Sequence, residues 1–162
     1  MRVTMIGAGY VGLVSGACFA DFGHTVTCVD KDPGKIDRLE KGVMPIFEPG
    51  LAELVASNVK EGRLFFSLDA REAIKNAEAI FIAVGTPSRR GDGHADLSYV
   101  YAAAKEIAEH INGFTVVVTK STVPVGTGDE VEEIIRKTNP NAKFAVVSNP
   151  EFLREGAAIS DF

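Results

Sequence analysis

The sequence is poor in residues that bind metal ions or form disulfides. Its 162 residues include two cysteines, three histidines and no tryptophan. Cys18 and Cys28 lie in apolar surroundings without the spacing of a metal site, which favours buried thiols. His24, His94 and His110 are scattered, and each falls in a predicted loop or at a helix end. We therefore expect no metal site, and a disulfide is an open alternative on which a cytosolic protein would not rely.

Positive charge is also scarce. The chain has 17 lysines and arginines against 22 acidic residues, a net charge of -5. Nucleic acids and anionic membrane surfaces require a basic face, so neither is an expected partner. The apolar runs are too short for a transmembrane helix, and the N-terminus begins a motif in place of a signal peptide. These observations predict a cytoplasmic protein.

Short β-branched runs alternate with segments of helical length along the whole chain. The runs predict six strands, at residues 3–6, 25–29, 63–66, 79–84, 115–119 and 144–147. The segments between them predict six helices, at residues 10–22, 33–41, 51–60, 70–76, 98–110 and 128–138. Such alternation is typical of a parallel sheet with helices on both faces. We predict one α/β domain over residues 1–162, a doubly wound Rossmann fold with a mainly parallel six-stranded sheet.

A glycine-rich turn follows the first predicted strand and precedes a helix. Residues 7–12 read GAGYVG and fit the pattern G-x-G-x-x-G. Gly7 would permit the tight turn, Gly9 would let the backbone approach a pyrophosphate, and Gly12 would allow close helix packing. The helix N-terminus would attract the negative charge. This context predicts a dinucleotide site, whereas a glycine-rich turn that merely packs well is the alternative.

Asp30 supports a particular dinucleotide. It ends the second predicted strand, eighteen positions after Gly12. A carboxylate at this place accepts hydrogen bonds from the adenosine ribose and repels a 2'-phosphate, which predicts NAD in preference to NADP. The positive charges of Lys31 and Lys35 nearby weaken that preference.

Polar segments follow three of the later strands. Residues 86–96 read TPSRRGDGHAD and predict a mobile loop, with a functional role favoured over simple linkage because ligands bind at this edge of an open sheet. Ser121 and Thr122 follow the fifth strand, so their hydroxyls are expected to project into the crevice, although helix capping or a turn would equally explain them. Glu151, after the sixth strand, could serve as a general base. If residues 151–155 are helical, Glu151 and Glu155 lie on one face of the helix. These two acids would then face ligands, water or cations, and an ordinary solvated acidic helix surface is the alternative.

Five motifs resemble those of the UDP-glucose/GDP-mannose dehydrogenase family. They are GAGYVG at 7–12, PIFEPGL at 45–51, VGTP at 84–87, KSTVPVGT at 120–127 and SNPEFLREG at 148–156. They occur in the family's order and extend over nearly the whole chain. Phe47 and the VPVGT form resemble the branch that acts on UDP-glucose more than the branch that acts on GDP-mannose.

The resemblance implies an NAD-dependent enzyme that oxidises C6 of a nucleotide sugar from alcohol through aldehyde to carboxylate. Two NAD and water are consumed, and a thioester forms on an essential cysteine. The residues so implied, with those predicted above, form three groups. For the cofactor they are Gly7, Gly9, Tyr10, Val11, Gly12, Asp30, Lys35, Thr86, Ser121, Thr122 and Glu155. For catalysis they are Thr122 and Glu151, and for the sugar they are Glu151, Phe152, Leu153, Arg154 and Glu155.

The resemblance also implies residues that this sequence does not contain. The family's nucleophilic cysteine belongs to a motif beyond residue 162, and Cys18 and Cys28, in a predicted helix and strand, cannot replace it. We expect a fragment of a longer, homodimeric protein, which binds NAD without turning over substrate. UDP-glucose is the expected sugar. GDP-mannose, a UDP-N-acetylhexosamine and a non-catalytic NAD-binding module are the alternatives.

Overall fold

The computed structural model describes residues 1–89, 91 and 94–162 and contains one six-stranded sheet. Its strands are β1 (Arg2–Ile6), β2 (Thr25–Val29), β3 (Leu64–Ser67), β4 (Ala79–Ile82), β5 (Phe114–Thr119) and β6 (Lys143–Ser148). All neighbouring strands are parallel, in the order β3-β2-β1-β4-β5-β6. The chain thus winds outwards from β1 in one direction and from β4 in the other. The predicted doubly wound Rossmann fold is confirmed.

Helices connect the strands and cover both faces of the sheet. They are α1 (Tyr10–Asp21), α2 (Pro33–Glu40), α3 (Leu51–Lys60), α4 (Ala70–Lys75), α5 (Ser98–His110), α6 (Thr127–Thr138) and α7 (Ala158–Asp161). The first six match the prediction within two residues at each end. The four-residue α7 was not predicted, because so short a segment shows no helical period. β4 ends two residues earlier than predicted, at Ile82, whose carbonyl accepts hydrogen bonds from the N–H groups of Lys120 and Ser121.

The two faces of the sheet pack into two separate hydrophobic cores, and β1, β2 and β4 contribute residues to both. On one face, Met5 and Cys28 belong to a core completed by residues of α1, α2 and α3. On the other face, Ile6 and Ile80 belong to a core completed by residues of α4, α5 and α6. Burial on both faces explains why the strands read as nearly continuous β-branched runs in place of a polar and apolar alternation.

Close packing of α1 against the sheet depends on Gly16. A Cβ at this position would lie 2.6 Å from Cys28 Sγ and 3.2 Å from Met5 Cγ. The helix is buried along most of its length, from Gly12 to Cys18. Sequence reasoning assigned helix packing to Gly12 and overlooked Gly16, whose partners lie on β1 and β2 and become its neighbours only in the fold.

The cysteines and histidines occupy the surroundings that the sequence predicts. Cys18 and Cys28 are buried free thiols, and burial raises the pKa of Cys18 to about 11 and that of Cys28 to about 12. His24 precedes β2 and His110 ends α5. Among the described residues there is no cluster suited to a metal ion, and no helix there is long and apolar enough to cross a membrane.

We expect Gly16→Ala to lower the free energy of unfolding by about 1–3 kcal/mol, because the added methyl overlaps Cys28 Sγ. Gly128→Ala is the matched control: this glycine lies in α6 with no heavy atom within 4 Å of an added Cβ, so helix propensity should leave stability equal or higher. Urea unfolding measures both. Equal losses in the two variants would contradict the packing role of Gly16.

Both thiols should resist modification in the folded chain. At neutral pH a thiol with a raised pKa is protonated and therefore a poor nucleophile, and a buried thiol is inaccessible to reagents in solution. We expect slow reaction with Ellman's reagent in buffer and rapid reaction of both cysteines in denaturant. Rapid labelling of the native chain would show that α1 or β2 opens locally.

Candidate functional site

A cavity of about 830 Å³ lies at the carboxyl ends of β1 and β4. At this point the strand order reverses, which is where open α/β sheets bind ligands. Its volume falls in the range of roughly 300–1,000 Å³ that is usual for cofactor and small-molecule sites. Of the residues predicted to bind the cofactor, five line it: Gly7, Gly9, Asp30, Lys35 and Thr86.

The glycine loop leaves space for a ligand at one position and none at two others. Gly7 has φ +106°, and a Cβ there would lie 2.5 Å from the carbonyl oxygen of Ala83. A Cβ at Gly12 would lie 1.8 Å from the carbonyl oxygen of Gly7. By contrast, no heavy atom lies within 4 Å of a Cβ built at Gly9. The loop therefore fits the turn, approach and packing roles inferred from its sequence.

Helix α1 begins directly after this loop without a side-chain cap. Gly9 is the N-cap residue and can offer no side-chain oxygen to the first N–H groups. These donors and the positive end of the helix dipole suit a bound phosphate. Tyr10 and Val11 follow, and both are half-buried against the core that contains α1.

Asp30 is held at the cavity wall by three hydrogen bonds. Its Oδ2 accepts from the Ala8 N–H at 2.9 Å and from Lys35 Nζ at 2.6 Å, and its Oδ1 accepts from the Asp32 N–H at 3.0 Å. Burial acts to raise the pKa of this carboxyl, but the Lys35 ammonium and the two N–H groups together hold the pKa below its usual value. Asp30 is thus a fixed anion with acceptor capacity left on Oδ1 for a ribose hydroxyl.

The two lysines beside Asp30 are both paired with carboxylates. Lys35 is bound to Asp30, and Lys31 Nζ lies 3.2 Å from Glu106 Oε2 on α5. Their charges are therefore already partly neutralised, which strengthens the argument against a 2'-phosphate. Glu106 itself lines the cavity and was missed by sequence reasoning.

One face of α5 forms the far wall of the cavity. Tyr99, Ala102, Ala103 and Glu106 follow the helical spacing i, i+3, i+4, i+7, and all four line the cavity. Ala102 and Ala103 have small side chains, which leave space in the cavity for a planar ring. The spacing was visible in the sequence, but it did not reveal that this face turns towards the glycine loop. Leu68, after β3, lines the same region.

The loop after β4 folds back on itself and carries Thr86. Ser88 and Ala95 form an antiparallel bridge, and the Asp96 N–H donates to the Pro87 carbonyl at 2.8 Å. The middle of the predicted loop, residues 90, 92 and 93, lies outside the described residues. Thr86 Oγ1 donates to the Thr122 carbonyl at 3.0 Å, so the structure brings these two predicted cofactor residues together.

The structure corrects the expectation for the Ser121 hydroxyl. It does not project into the crevice: Ser121 is buried and its Oγ bonds the carbonyl oxygens of Val84 at 2.8 Å and Ile82 at 3.2 Å. The turn-stabilising alternative explains this side chain, which ties β5 to the end of β4. Its neighbour Thr122 is exposed.

The segment 151–155 has no regular secondary structure and enters a turn at Glu155, so Glu151 and Glu155 do not share a helical face. Glu151 is half-buried and accepts the Leu153 N–H on Oε2 at 2.8 Å. Leu153 packs against the α1 core, whereas the Phe152 ring is 85% exposed. Arg154 donates three hydrogen bonds to Asp161, two from its guanidinium at 2.9 and 2.6 Å and one from its backbone N–H at 3.1 Å.

Tyr10 connects this segment to the glycine loop. Burial and a hydrogen bond to Glu48 raise its pKa, and the charges of Glu155 and Glu151 raise it further. Glu48 also accepts the Gly156 N–H, so Tyr10 and the residue that follows Glu155 share one hydrogen-bond partner. The sequence predicts that Tyr10 binds the cofactor but does not predict its hydrogen bond to Glu48.

Lys120 is a buried cation behind the predicted catalytic pair, and the sequence did not single it out. Its Nζ donates to Asn149 Oδ1 at 3.1 Å and lies 5.7 Å from the centre of the Phe162 ring. Burial lowers the pKa of Lys120, while the charge of Glu151 acts in the opposite direction. Its place in the KSTVPVGT motif was the available signal.

Comparison with known proteins agrees with this geometry. Residues 1–162 match the UDP-glucose/GDP-mannose dehydrogenase family, NAD binding domain. A UDP-glucose 6-dehydrogenase of Rhizobium meliloti (strain 1021) is 75% identical over 162 residues, which are 100% of this chain and 37% of that protein. A UDP-glucose 6-dehydrogenase of Bacillus subtilis (strain 168) is 56% identical over 99% of this chain and 35% of its own length.

Solved structures of the family superimpose closely on the fold. A GDP-mannose dehydrogenase from Pseudomonas aeruginosa, crystallised as a ternary complex, gives a TM-score of 0.95 at 39% identity over 99% of this chain and 38% of its own. A UDP-glucose dehydrogenase from Pyrobaculum islandicum gives 0.93 at 44% identity over 98% and 38%. The chain thus spans little more than a third of the length of these relatives. It belongs to the UDP-glucose/GDP-mannose dehydrogenase family, of which it is the NAD-binding domain.

Proposed function

We propose that this chain is part of an NAD-dependent UDP-glucose 6-dehydrogenase, which oxidises UDP-glucose to UDP-glucuronate with two NAD and water. The observation that carries the proposal is the dinucleotide cavity at the strand-order reversal, with Thr122 and Glu151 after the neighbouring strands β5 and β6. The choice of UDP-glucose rests on the 75% identity to the Rhizobium meliloti enzyme. A cytoplasmic location and a homodimer formed through regions outside this chain belong to the same proposal.

The residues of this chain bind and orient the cofactor. The uncapped N–H groups at the start of α1 would hold the pyrophosphate, and Asp30 Oδ1 would accept a hydrogen bond from the adenosine ribose. Tyr99 and Leu68, which line the cavity, would contact the adenine ring. NAD would supply the hydride acceptor for the oxidation of C6 of the sugar.

Thr122 and Glu151 are the proposed catalytic residues of this chain. Thr122 presents an exposed hydroxyl at the end of β5, which can orient a water molecule. Glu151, half-buried after β6, has Oε1 available to take a proton while Oε2 accepts the Leu153 N–H. The nucleophilic thiolate comes from outside this chain, because Cys18 and Cys28 are buried, protonated thiols in α1 and β2.

The remaining predicted residues take narrower roles. Phe152 offers an exposed ring, and Glu155 offers an exposed carboxylate for the cofactor or the sugar. The Arg154 guanidinium is bound to Asp161. It contacts a sugar either through the guanidinium N–H groups that Asp161 does not accept or after the ion pair with Asp161 breaks. The Ser121 hydroxyl donates its proton to the Val84 carbonyl, so only its oxygen lone pairs can bind the cofactor, as acceptors.

The first test follows NADH formation by the full-length parent enzyme with UDP-glucose, GDP-mannose and UDP-N-acetylglucosamine in parallel. We expect two NADH per UDP-glucose and none from the 162-residue chain, which nevertheless binds NAD. Turnover of GDP-mannose or UDP-N-acetylglucosamine alone would identify a different sugar. No turnover on any of the three, with NAD binding intact, would favour a non-catalytic NAD-binding module.

The second test changes Asp30 to alanine. The loss of charge-assisted hydrogen bonds should raise the Kd of NAD about 10- to 100-fold. The preference over NADP should narrow, because the repulsive carboxylate is removed and Lys35 is released from it. Asp37→Ala is the control, since Asp37 is an exposed acid of α2 that pairs with Lys41. An undiminished preference for NAD in Asp30→Ala would refute the assigned role.

A further inference from the structure

Glu48 carries a buried carboxylate that the proposed function leaves without a role. It lies in the PIFEPGL segment between α2 and α3 and is 5% exposed, whereas the preceding Phe47 is 88% exposed. Gly50, at φ +79°, is the N-cap residue of α3, and the Leu51 N–H donates to the Glu48 carbonyl at 3.1 Å. This turn directs the acidic side chain into the protein and the aromatic side chain away from it.

The carboxylate accepts three hydrogen bonds from distant parts of the chain. The Tyr10 hydroxyl donates to Oε2 at 2.6 Å and the Gly156 N–H donates to the same oxygen at 2.8 Å. The Ala158 N–H donates to Oε1 at 2.9 Å. The Tyr10 hydroxyl foremost, and the two N–H groups, hold the pKa of Glu48 below its usual value, although burial opposes them. Glu48 is therefore an anion at neutral pH.

The three donors belong to the two halves of the candidate site. Tyr10 begins α1 immediately after Gly9, where the pyrophosphate is proposed to bind. Gly156 follows Glu155, the last residue of the segment 151–155 proposed for the sugar, and Ala158 begins α7. Glu48 is thus bonded to the elements that form both ligand sites.

Burial makes these donors necessary for the carboxylate. Glu48 is buried, and removal of a carboxylate from water is unfavourable unless hydrogen-bond donors replace the water. The Tyr10 hydroxyl and the N–H groups of Gly156 and Ala158 replace it, so the two oxygens of Glu48 hold the start of α1 and the backbone around Gly156 together.

We propose that Glu48 is a positioning residue that joins the segment 151–155 to the start of α1, so that the sugar and the cofactor are held in one fixed arrangement. The inference rests on the proposed function, because it takes 151–155 as the sugar segment. Hydride transfer is sensitive to such an arrangement, since displacement of the reacting atoms by about 1 Å can cost on the order of a hundredfold in rate.

Apolar docking is the competing explanation for the place of this segment. Leu153 and Ile159 pack against the α1 core, and Arg154 is bound to Asp161. These contacts could hold residues 153–161 without the carboxylate. They do not bind the Gly156 N–H, however, for which Glu48 is the acceptor. Glu48 therefore holds the backbone next to Glu155 in addition to the turn bond from the Ala157 N–H to the Arg154 carbonyl.

The test uses Glu48→Gln in the full-length enzyme. Glutamine preserves the size but replaces one acceptor oxygen with an N–H donor, which cannot accept the N–H of Gly156 or Ala158. We expect the KM for UDP-glucose to rise about tenfold, with a change in the KM for NAD of less than about threefold. Glu53→Gln, an exposed acid on α3, is the matched control and should change neither constant. A lower melting temperature with an unchanged KM for UDP-glucose would overturn the inference.

Tyr10→Phe is a milder second variant should Glu48→Gln fail to fold. It removes one hydrogen bond from Glu48 at the cofactor side and leaves both N–H contacts of the sugar side. If Glu48 joins the two sites, this change also raises the KM for UDP-glucose, by about threefold or more. An effect on the KM for NAD alone would overturn the inference.

Hydrogen–deuterium exchange separates this inference from the proposed function. In Glu48→Gln the amides of residues 151–158 should exchange faster than in the unaltered enzyme, and in Glu53→Gln at the same rate. Unchanged exchange in Glu48→Gln overturns the inference even if the enzyme is active. If the unaltered enzyme forms no NADH with any nucleotide sugar, the proposed function is overturned. The sugar-positioning role of Glu48 is then overturned with it. The exchange data still show whether Glu48 holds residues 151–158 in place.

Discussion

The close approach of α1 to the sheet is the constraint on which the rest of the structure depends. A Cβ at Gly12 would lie 1.8 Å from the Gly7 carbonyl oxygen, and one at Gly16 would lie 2.6 Å from Cys28 Sγ. With side chains at these places the helix would have to move outwards. Its first N–H groups would then leave the carboxyl edge of the sheet, where we propose that the phosphate binds. In the proposed function, close packing of α1 is therefore a condition for cofactor binding.

This packing also determines the geometry of the cofactor cavity. The Ala8 N–H, within the glycine loop, donates to Asp30, so the loop and the end of β2 hold each other in place. Lys35 completes the same cluster from α2. A buried anion is stable only with such donors, and here they also orient the carboxylate towards the cavity. In the proposed function, stability and the preference for NAD thus depend on the same contacts.

The second half of the site is assembled from segments far apart in the chain. Glu48, between α2 and α3, meets Tyr10 at one side and Gly156 and Ala158 at the other. Thr86 meets Thr122 in a similar way after β4 and β5. Because these links are hydrogen bonds, three to the backbone and one between the side chains of Tyr10 and Glu48, they specify distances more narrowly than apolar packing does. Such precision suits the proposed function, which requires a sugar carbon to lie next to a nicotinamide ring.

The sequence by itself determined the fold class, six strands, six helices, the glycine loop and Asp30, because these depend on local periodicity and on short-range motif spacing. It also indicated the family through motifs that are contiguous in the chain. Only the tertiary structure decided that the Ser121 hydroxyl is bonded to the backbone, that residues 151–155 are not helical, and that Glu48 is buried beneath Tyr10. The physical reason is range: hydrogen bonds between residues separated by 36 to 110 positions leave no period or spacing in the sequence.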